Sequence, residues 1–321
     1  MLIIISISCI IAFLKLIDIK ILQKNIIITN NQNIKKGIIK YNKLKKGENA
    51  PEKKCHISSD NSNLKILHLI ITRFMIEFYH KNDFPKKLYK KEFIENAIRV
   101  MKKYLFPSLE NQTCKNFTWI LMIGDQANIT YISNLLNFNS SFPIEFIFQK
   151  DIKSYLLDRS KKFDILITTR IDYDDRIYYD AVNDVRKEIN IKKPLLLHGY
   201  NRGFIYYESI DKYEEYHYTN KKGVWSVFIS LIIVVKKVKA IYTIYDFGDH
   251  TKIKSNLLKN YKLYGINKLN YEPVIFDDGT PKFVWVQQKY SGSYNSNRLN
   301  KMFDKKHFKS INFDINKFYG N

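Results

Sequence analysis

Thr168-Thr169-Arg170-Ile171-Asp172-Tyr173-Asp174-Asp175 is the stretch from which the rest of the chain is read. Phe163–Thr169 is a short apolar run, β-branched and without alternation, which suits a strand buried on both faces of a parallel sheet. Beyond it, Ile177, Ala181, Val182, Val185 and Ile189 recur at the spacing of one helical face, so a helix is predicted there. The aspartates then fall at the turn between a strand's carboxyl end and a helix, the edge at which open α/β sheets bind ligands.

Three carboxylates within four residues repel one another unless something positive sits among them. A divalent cation answers that need. Mg²⁺ and Mn²⁺ take carboxylate and phosphate oxygens together, so Asp172-x-Asp174 at a strand end reads as a bridge between protein and a nucleotide diphosphate. The plainer alternative is that one aspartate caps the helix and the others favour its positive end. A D-x-D occurs by chance in many chains, and here its place after a buried strand is what gives it weight.

Asp164–Asp175 resembles the T-T-R-[IL]-D-x-D-D signature of the putative rhamnosyltransferase family, a branch of the GT-A glycosyltransferases. Leu69–Phe74 is similar to that family's first strand. Leu105–Thr113 with Phe117-Thr-Trp-Ile120 resembles its P-S-L-x-x-Q-T-x-x-x-F-x-W segment. The resemblance is good over about residues 65–205; further on, Trp225–Leu231 and Trp285-Val-Gln287 are only loosely similar, and Gln288, Lys289 and Tyr290 stand where the family has a histidine. The resemblance implies a GT-A-like, mostly parallel sheet flanked by helices. It also implies a metal-dependent transferase that moves a sugar, rhamnose by the family's name, from a nucleotide-diphosphate donor to a glycan acceptor. An inverting mechanism rests on that analogy alone.

A chain of 321 residues with 45% apolar content can bury one large core or two modest ones. The net charge of +22 comes from 53 basic against 31 acidic residues, and lysine dominates the basic set. No basic run exceeds two residues, whereas nucleic-acid arms carry blocks of about five or more, so no nucleic-acid partner is expected. Cys9, Cys55 and Cys114 include no C-x-x-C, which excludes a zinc ribbon and leaves room for one disulfide. Asn111, Asn116, Asn128 and Asn139 each begin an N-x-S/T triplet, which a chain rich in these residues also produces by chance.

Leu2–Leu14 is almost unbroken in apolar character, and its thirteen residues would span about 20 Å as a helix, short of a hydrocarbon core of about 30 Å. It reads as a signal anchor or signal peptide within residues 1–22, associating the protein with a membrane or the secretory pathway, or else as a buried first element. Residues 23–63 are rich in Asn, Lys and Gly and read as a polar stem that cannot pack a core. Residues 64–321 then form the catalytic domain.

Leu64–Thr72 is a buried strand with Arg73 at its end, a candidate for the nucleotide because its planar fork suits a base edge or a pyrophosphate. Phe93–Leu105 is a helix stopped by Pro107. Strands at Phe117–Ile123 and Ile144–Phe148 and helices at Ile129–Leu136 and Ile152–Leu157 complete a β-α alternation that predicts a parallel, doubly wound sheet. Pro194–Leu197 and Gly203–Tyr207 read as two strands forming a hairpin or crossing at the sheet's edge, with His198 and Arg202 as pocket candidates. Val224–Val235 is core, Ala240–Tyr245 a further strand, and Asn300–Phe308 a last helix.

Asp246-Phe-Gly-Asp249-His250 is the second polar constellation, and Gly248-Asp249 is also a turn signal. In GT-A enzymes a late histidine often joins the metal, and an inverting enzyme needs a carboxylate for the acceptor hydroxyl's proton. His250 fits the first role and Asp246 or Asp249 the second. In the aspartate cluster, Asp172 would touch the ribose or a metal-bound water, Asp174 or Asp175 would ligate the metal, and Arg170 would offset phosphate charge. Two other classes stay open: a fold that has kept its shape and lost its chemistry, and a metal-dependent phosphodiesterase or nuclease, which would need further carboxylates brought in from distant strands.

Overall fold

The computed structural model describes residues 38–41, 55, 63–76, 89–208, 211–217, 228–248, 252–268, 281–287 and 310–311. The chain forms two compact units, Met1–Lys40 and Tyr41–Asn321. A four-residue strand, Ile38–Tyr41, is the described element at the end of the first. Leu2–Leu14, most of the stem and the helix expected near Asn300–Phe308 lie outside the described residues. Among those described, no helix is long and apolar enough to cross a membrane.

The second unit follows the predicted alternation closely. In chain order come β1 (Ile66–Phe74), α1 (Lys91–Lys103), α2 (Leu105–Glu110), β2 (Thr118–Ile123), α3 (Ile129–Leu136), β3 (Ile144–Phe148), α4 (Ile152–Ser160) and β4 (Ile165–Arg170). Within this unit six strands of the main sheet stand in the order β3-β2-β1-β4, then β9 (Ile229–Val234), then β6 (Leu195–Gly199). The first four are parallel and β9 runs antiparallel to both its neighbours. Every residue of β2, β4 and β9 is buried, which is why their sequences lack alternation. Gly124 closes β2 against β1: a Cβ there would stand 2.2 Å from the Met75 carbonyl oxygen, so no side chain fits.

A second sheet orders β11 (Ser310–Ile311), β8 (Lys212–His217), β7 (Arg202–Tyr207), β10 (Phe283–Gln287) and β5 (Arg176–Ile177). The chain therefore passes from β6 in one sheet to β7 in the other, the crossing foreseen at Pro194–Tyr207. Val100, Tyr104, Phe204, Tyr206 and Val284 pack as a buried cluster joining α1 to this sheet.

Three expectations are corrected. The helix after the aspartates, α5, spans Ala181–Lys187 and not Ile177–Ile189, because Arg176 and Ile177 pair with Val284 and Phe283 as a strand. Pro107 does not stop α1. The backbone breaks at Tyr104 (φ −117, ψ −64), and Pro107 lies in the first turn of α2, where the missing N–H leaves no helical bond unmade. Ala240–Tyr245 is not a strand: Thr243 caps a short 3₁₀ turn, Ile244–Phe247, whose Ile244 N–H donates to Thr168 Oγ1 at 3.1 Å.

Candidate active site

Arg73 and Arg170 occupy neighbouring parallel strands at the same carboxyl edge, with Ile71 opposite Arg170 in register. Both project to one face of the sheet. Asp172, just past β4, sits between them: Oδ1 is 3.5 Å from Arg73 Nη2 and Oδ2 accepts from Arg170 Nη2 at 3.2 Å. Side-chain exposure grades from 3% at Arg170 to 21% at Arg73 and 31% at Asp172, so the cluster opens outward from a buried root.

Tyr245 lies beneath both guanidinium groups, whose central carbons are 4.9 Å (Arg73) and 5.3 Å (Arg170) from the ring centroid. Its hydroxyl donates to the Ile71 carbonyl at 2.9 Å, which locks the ring, and burial followed by the Asp172 charge keeps it protonated. A guanidinium held over an aromatic face and tied to a carboxylate has few rotamers left to lose on meeting an anion.

The three aspartates diverge. Asp175 is 1% exposed, turned inward, and its N–H donates to the Asp172 carbonyl at 3.2 Å to close the turn. Next to it Arg176 stacks over Tyr104, 4.5 Å from the ring centroid, and Tyr206, at 5.6 Å, which anchors the far end of the turn. Asp174 stays beside Asp172. Burial, and then the Asp172 charge, push its carboxyl up to about 7. Among the described residues no three of His, Cys, Asp and Glu gather closely enough to hold an ion on their own. Asp172 and Asp174 nonetheless fit a cation that takes its other ligands from a diphosphate, since the Asp172 charge adds to burial in raising Asp174 and a cation there would offset both.

His198 is fully buried in β6 with its ring edge-on to Tyr200, and burial lowers it to about 3, so it is a neutral core group. Asp246 completes a capping box: Oδ2 accepts from the Thr243 N–H at 2.6 Å and from its hydroxyl at 3.0 Å. Asp249 and His250 lie outside the described residues. Asp246→Ala is expected to cost about 1 kcal/mol of stability, the usual value of a lost cap, read from the urea midpoint. An unchanged midpoint would show that the capping box contributes nothing to the fold. Tyr245 was not legible as a site residue, because its bond to Ile71 spans 174 residues and no local motif announces it.

Fold and site together define an α/β protein with an arginine–carboxylate cluster at the carboxyl edge of a parallel sheet. The family model described as "Putative rhamnosyl transferase" matches residues 70–262, and the chain belongs to that family. No curated protein matches it in sequence. Among solved structures it is similar to HddC from Yersinia pseudotuberculosis (14% identity, 71% of this chain and 92% of that one, TM-score 0.31). It is also similar to a "putative nucleotide-diphospho-sugar transferase" from Desulfovibrio desulfuricans G20 (11%, 74% and 95%, TM-score 0.32). A third is a "Putative Glucose-1-Phosphate Thymidylyltransferase" from Bacillus anthracis (13%, 79% and 99%, TM-score 0.34).

Proposed function

We propose that the protein is a GT-A-type, metal-dependent glycosyltransferase that moves a sugar, rhamnose by family, from a nucleotide-diphosphate donor to a glycan acceptor. The observation that carries the reading is the convergence of Arg73, Arg170 and Asp172 over the Tyr245 ring at the sheet's carboxyl edge. Negative charge develops on the leaving diphosphate as the glycosidic bond breaks, and preorganised cations aimed at that charge are the most effective help a protein can offer.

Arg73, the more exposed guanidinium, would swing from Asp172 to the diphosphate. Arg170, buried and held by Asp172, would supply fixed positive charge from behind. Asp172 and Asp174 would hold Mn²⁺ or Mg²⁺, which supplies Lewis-acid neutralisation of the same leaving group. Asp249 is the carboxylate left to take the acceptor hydroxyl's proton, since Asp246 has a capping task. His250 would join the metal. Membrane association through Leu2–Leu14 would place the reaction beside a lipid surface.

Thermal unfolding against UDP, dTDP and GDP, with and without Mn²⁺, tests the reading. A ligand that binds only the folded state at a hundred times its dissociation constant stabilises by about 2.7 kcal/mol. A Mn²⁺-dependent shift with one diphosphate is expected. Arg73→Ala should weaken that ligand about 10- to 100-fold, the worth of one charge-assisted hydrogen bond. A folded protein that shifts with none of the three would instead be a member that has lost its chemistry.

A further inference from the structure

Asn111, Asn116 and Asn139 are exposed, and each begins an Asn-x-Ser/Thr triplet. All three occupy the edge of the main sheet opposite Asp172. Asn111 follows α2, Asn116 precedes β2 and Asn139 lies between α3 and β3, so they border the amino ends of parallel strands whose carboxyl edge carries the arginine–aspartate cluster. Two of them are held close together, because Glu110 accepts from the Ser141 N–H at 2.8 Å and from its hydroxyl at 2.9 Å.

Between Asn111 and Asn116 stands Cys114, disulfide-bonded to Cys55. Disulfides persist in oxidising compartments, and an exposed Asn-x-Ser/Thr triplet reads as a glycan acceptor in the same setting. Two features that need one environment thus meet in one surface segment. Composition alone does not account for the placement. Asparagine is spread along the whole chain, yet every such triplet in it falls between residues 111 and 141. The fourth, Asn128, differs: its Oδ1 caps α3 by accepting the Tyr131 N–H at 3.0 Å, and it lies past the carboxyl end of β2, on the functional edge.

We propose that Asn111, Asn116 and Asn139 carry N-linked oligosaccharides, which cover the edge around the disulfide and leave the opposite edge open. In the transfer, Asn Nδ2 displaces the diphosphate from the anomeric carbon of a lipid-linked oligosaccharide. One C–N bond forms, one C–O bond breaks, an amide proton is lost, and the lipid diphosphate leaves with the bonding pair. No oxidation or reduction is involved. The hydroxyl partner Thr118 is buried at the start of β2, and Thr113 is bonded to Asp180. Transfer therefore precedes closure of β2 into the sheet, and the folded surface needs only to keep the asparagine side chains in water.

The test is peptide mapping of the full chain made through a eukaryotic secretory pathway and released by peptide N-glycosidase in ¹⁸O water. The expected result is ¹⁸O-labelled aspartate at positions 111, 116 and 139 together with a Cys55–Cys114 linked peptide, and one mass step lost in each of N111Q, N116Q and N139Q. Unmodified asparagine at two or more of these positions in disulfide-linked protein would overturn the proposal. So would recovery of Cys55 and Cys114 as free thiols, which removes the environment on which it depends.

Discussion

Asp174→Asn yields a protein that is more stable than its parent at pH 8 and about a hundred- to a thousandfold slower in transfer, the scale set by loss of one preorganised charge contact at a reacting centre. The stability half follows from the raised carboxyl. A group near 7 when folded and near 3.8 when unfolded holds its proton more tightly in the folded state. Stability is therefore greatest below the unfolded value and falls as pH rises through 7. The shift corresponds to about 4 kcal/mol as a ceiling, and about 2 kcal/mol is a realistic gain for a carboxylate with partial access to water. Asparagine keeps the shape and removes the charge, so the variant's urea midpoint should stay flat between pH 5 and 8 where the parent's declines. Mn²⁺ with the diphosphate should restore the parent at pH 8, where Asp174 is already ionised, by compensating its charge beside Asp172, and should leave the variant where it was. A variant that follows the parent's pH profile would show that Asp174 is not the strained member of the cluster. A variant that keeps its transfer rate would remove it from the chemistry.

The parallel half of the sheet was legible because its strands announce themselves locally. Residues 66–72, 117–123, 144–147 and 165–169 are each buried on both faces, so each appears as a short apolar run, and helical spacing fills the gaps. Arg73, Arg170 and Asp172 were legible for the same reason: a polar residue at the end of such a run stands at the ligand-binding edge. The divergence of Asp174 from Asp175 was not, since both belong to one turn and the anchoring of Arg176 over Tyr104 and Tyr206 at the end of that turn is a tertiary contact. Nor was the second sheet. β10 pairs parallel with β7, Val284 opposite Phe204, across a separation that no local pattern encodes. Ala240–Tyr245 misled because a β-branched apolar run suits a strand and equally suits a turn pressed on a sheet face. Asp246, an acidic residue three positions after Thr243, carries a capping signature as much as that of a candidate base, and the capping box is present.

Cys55→Ala is expected to lower the unfolding free energy by about 4 kcal/mol, the chain-entropy value for a cross-link between residues 59 apart. The bond ties Cys55, ahead of β1, to the loop ahead of β2. Cys55 is the cleaner position to change, because Cys114 is fully buried and its replacement would add a packing loss to the loss of the bond. If the cross-link is the whole effect, Cys55→Ala, Cys114→Ala and the double variant unfold at nearly the same urea concentration, and the parent treated with reductant joins them. This is the strong non-additivity of two groups that act only as a pair. A Cys55→Ala change below about 1 kcal/mol beside a larger one for Cys114→Ala would mean that the thiol's packing, not the bond, holds the loop. A shortened chain that starts near residue 61 discards Cys55 with the apolar segment, and its instability would say nothing about Leu2–Leu14. A start near Gln23 keeps the bond and the strand Ile38–Tyr41, and isolates the question of whether the first residues belong to a membrane or to the fold.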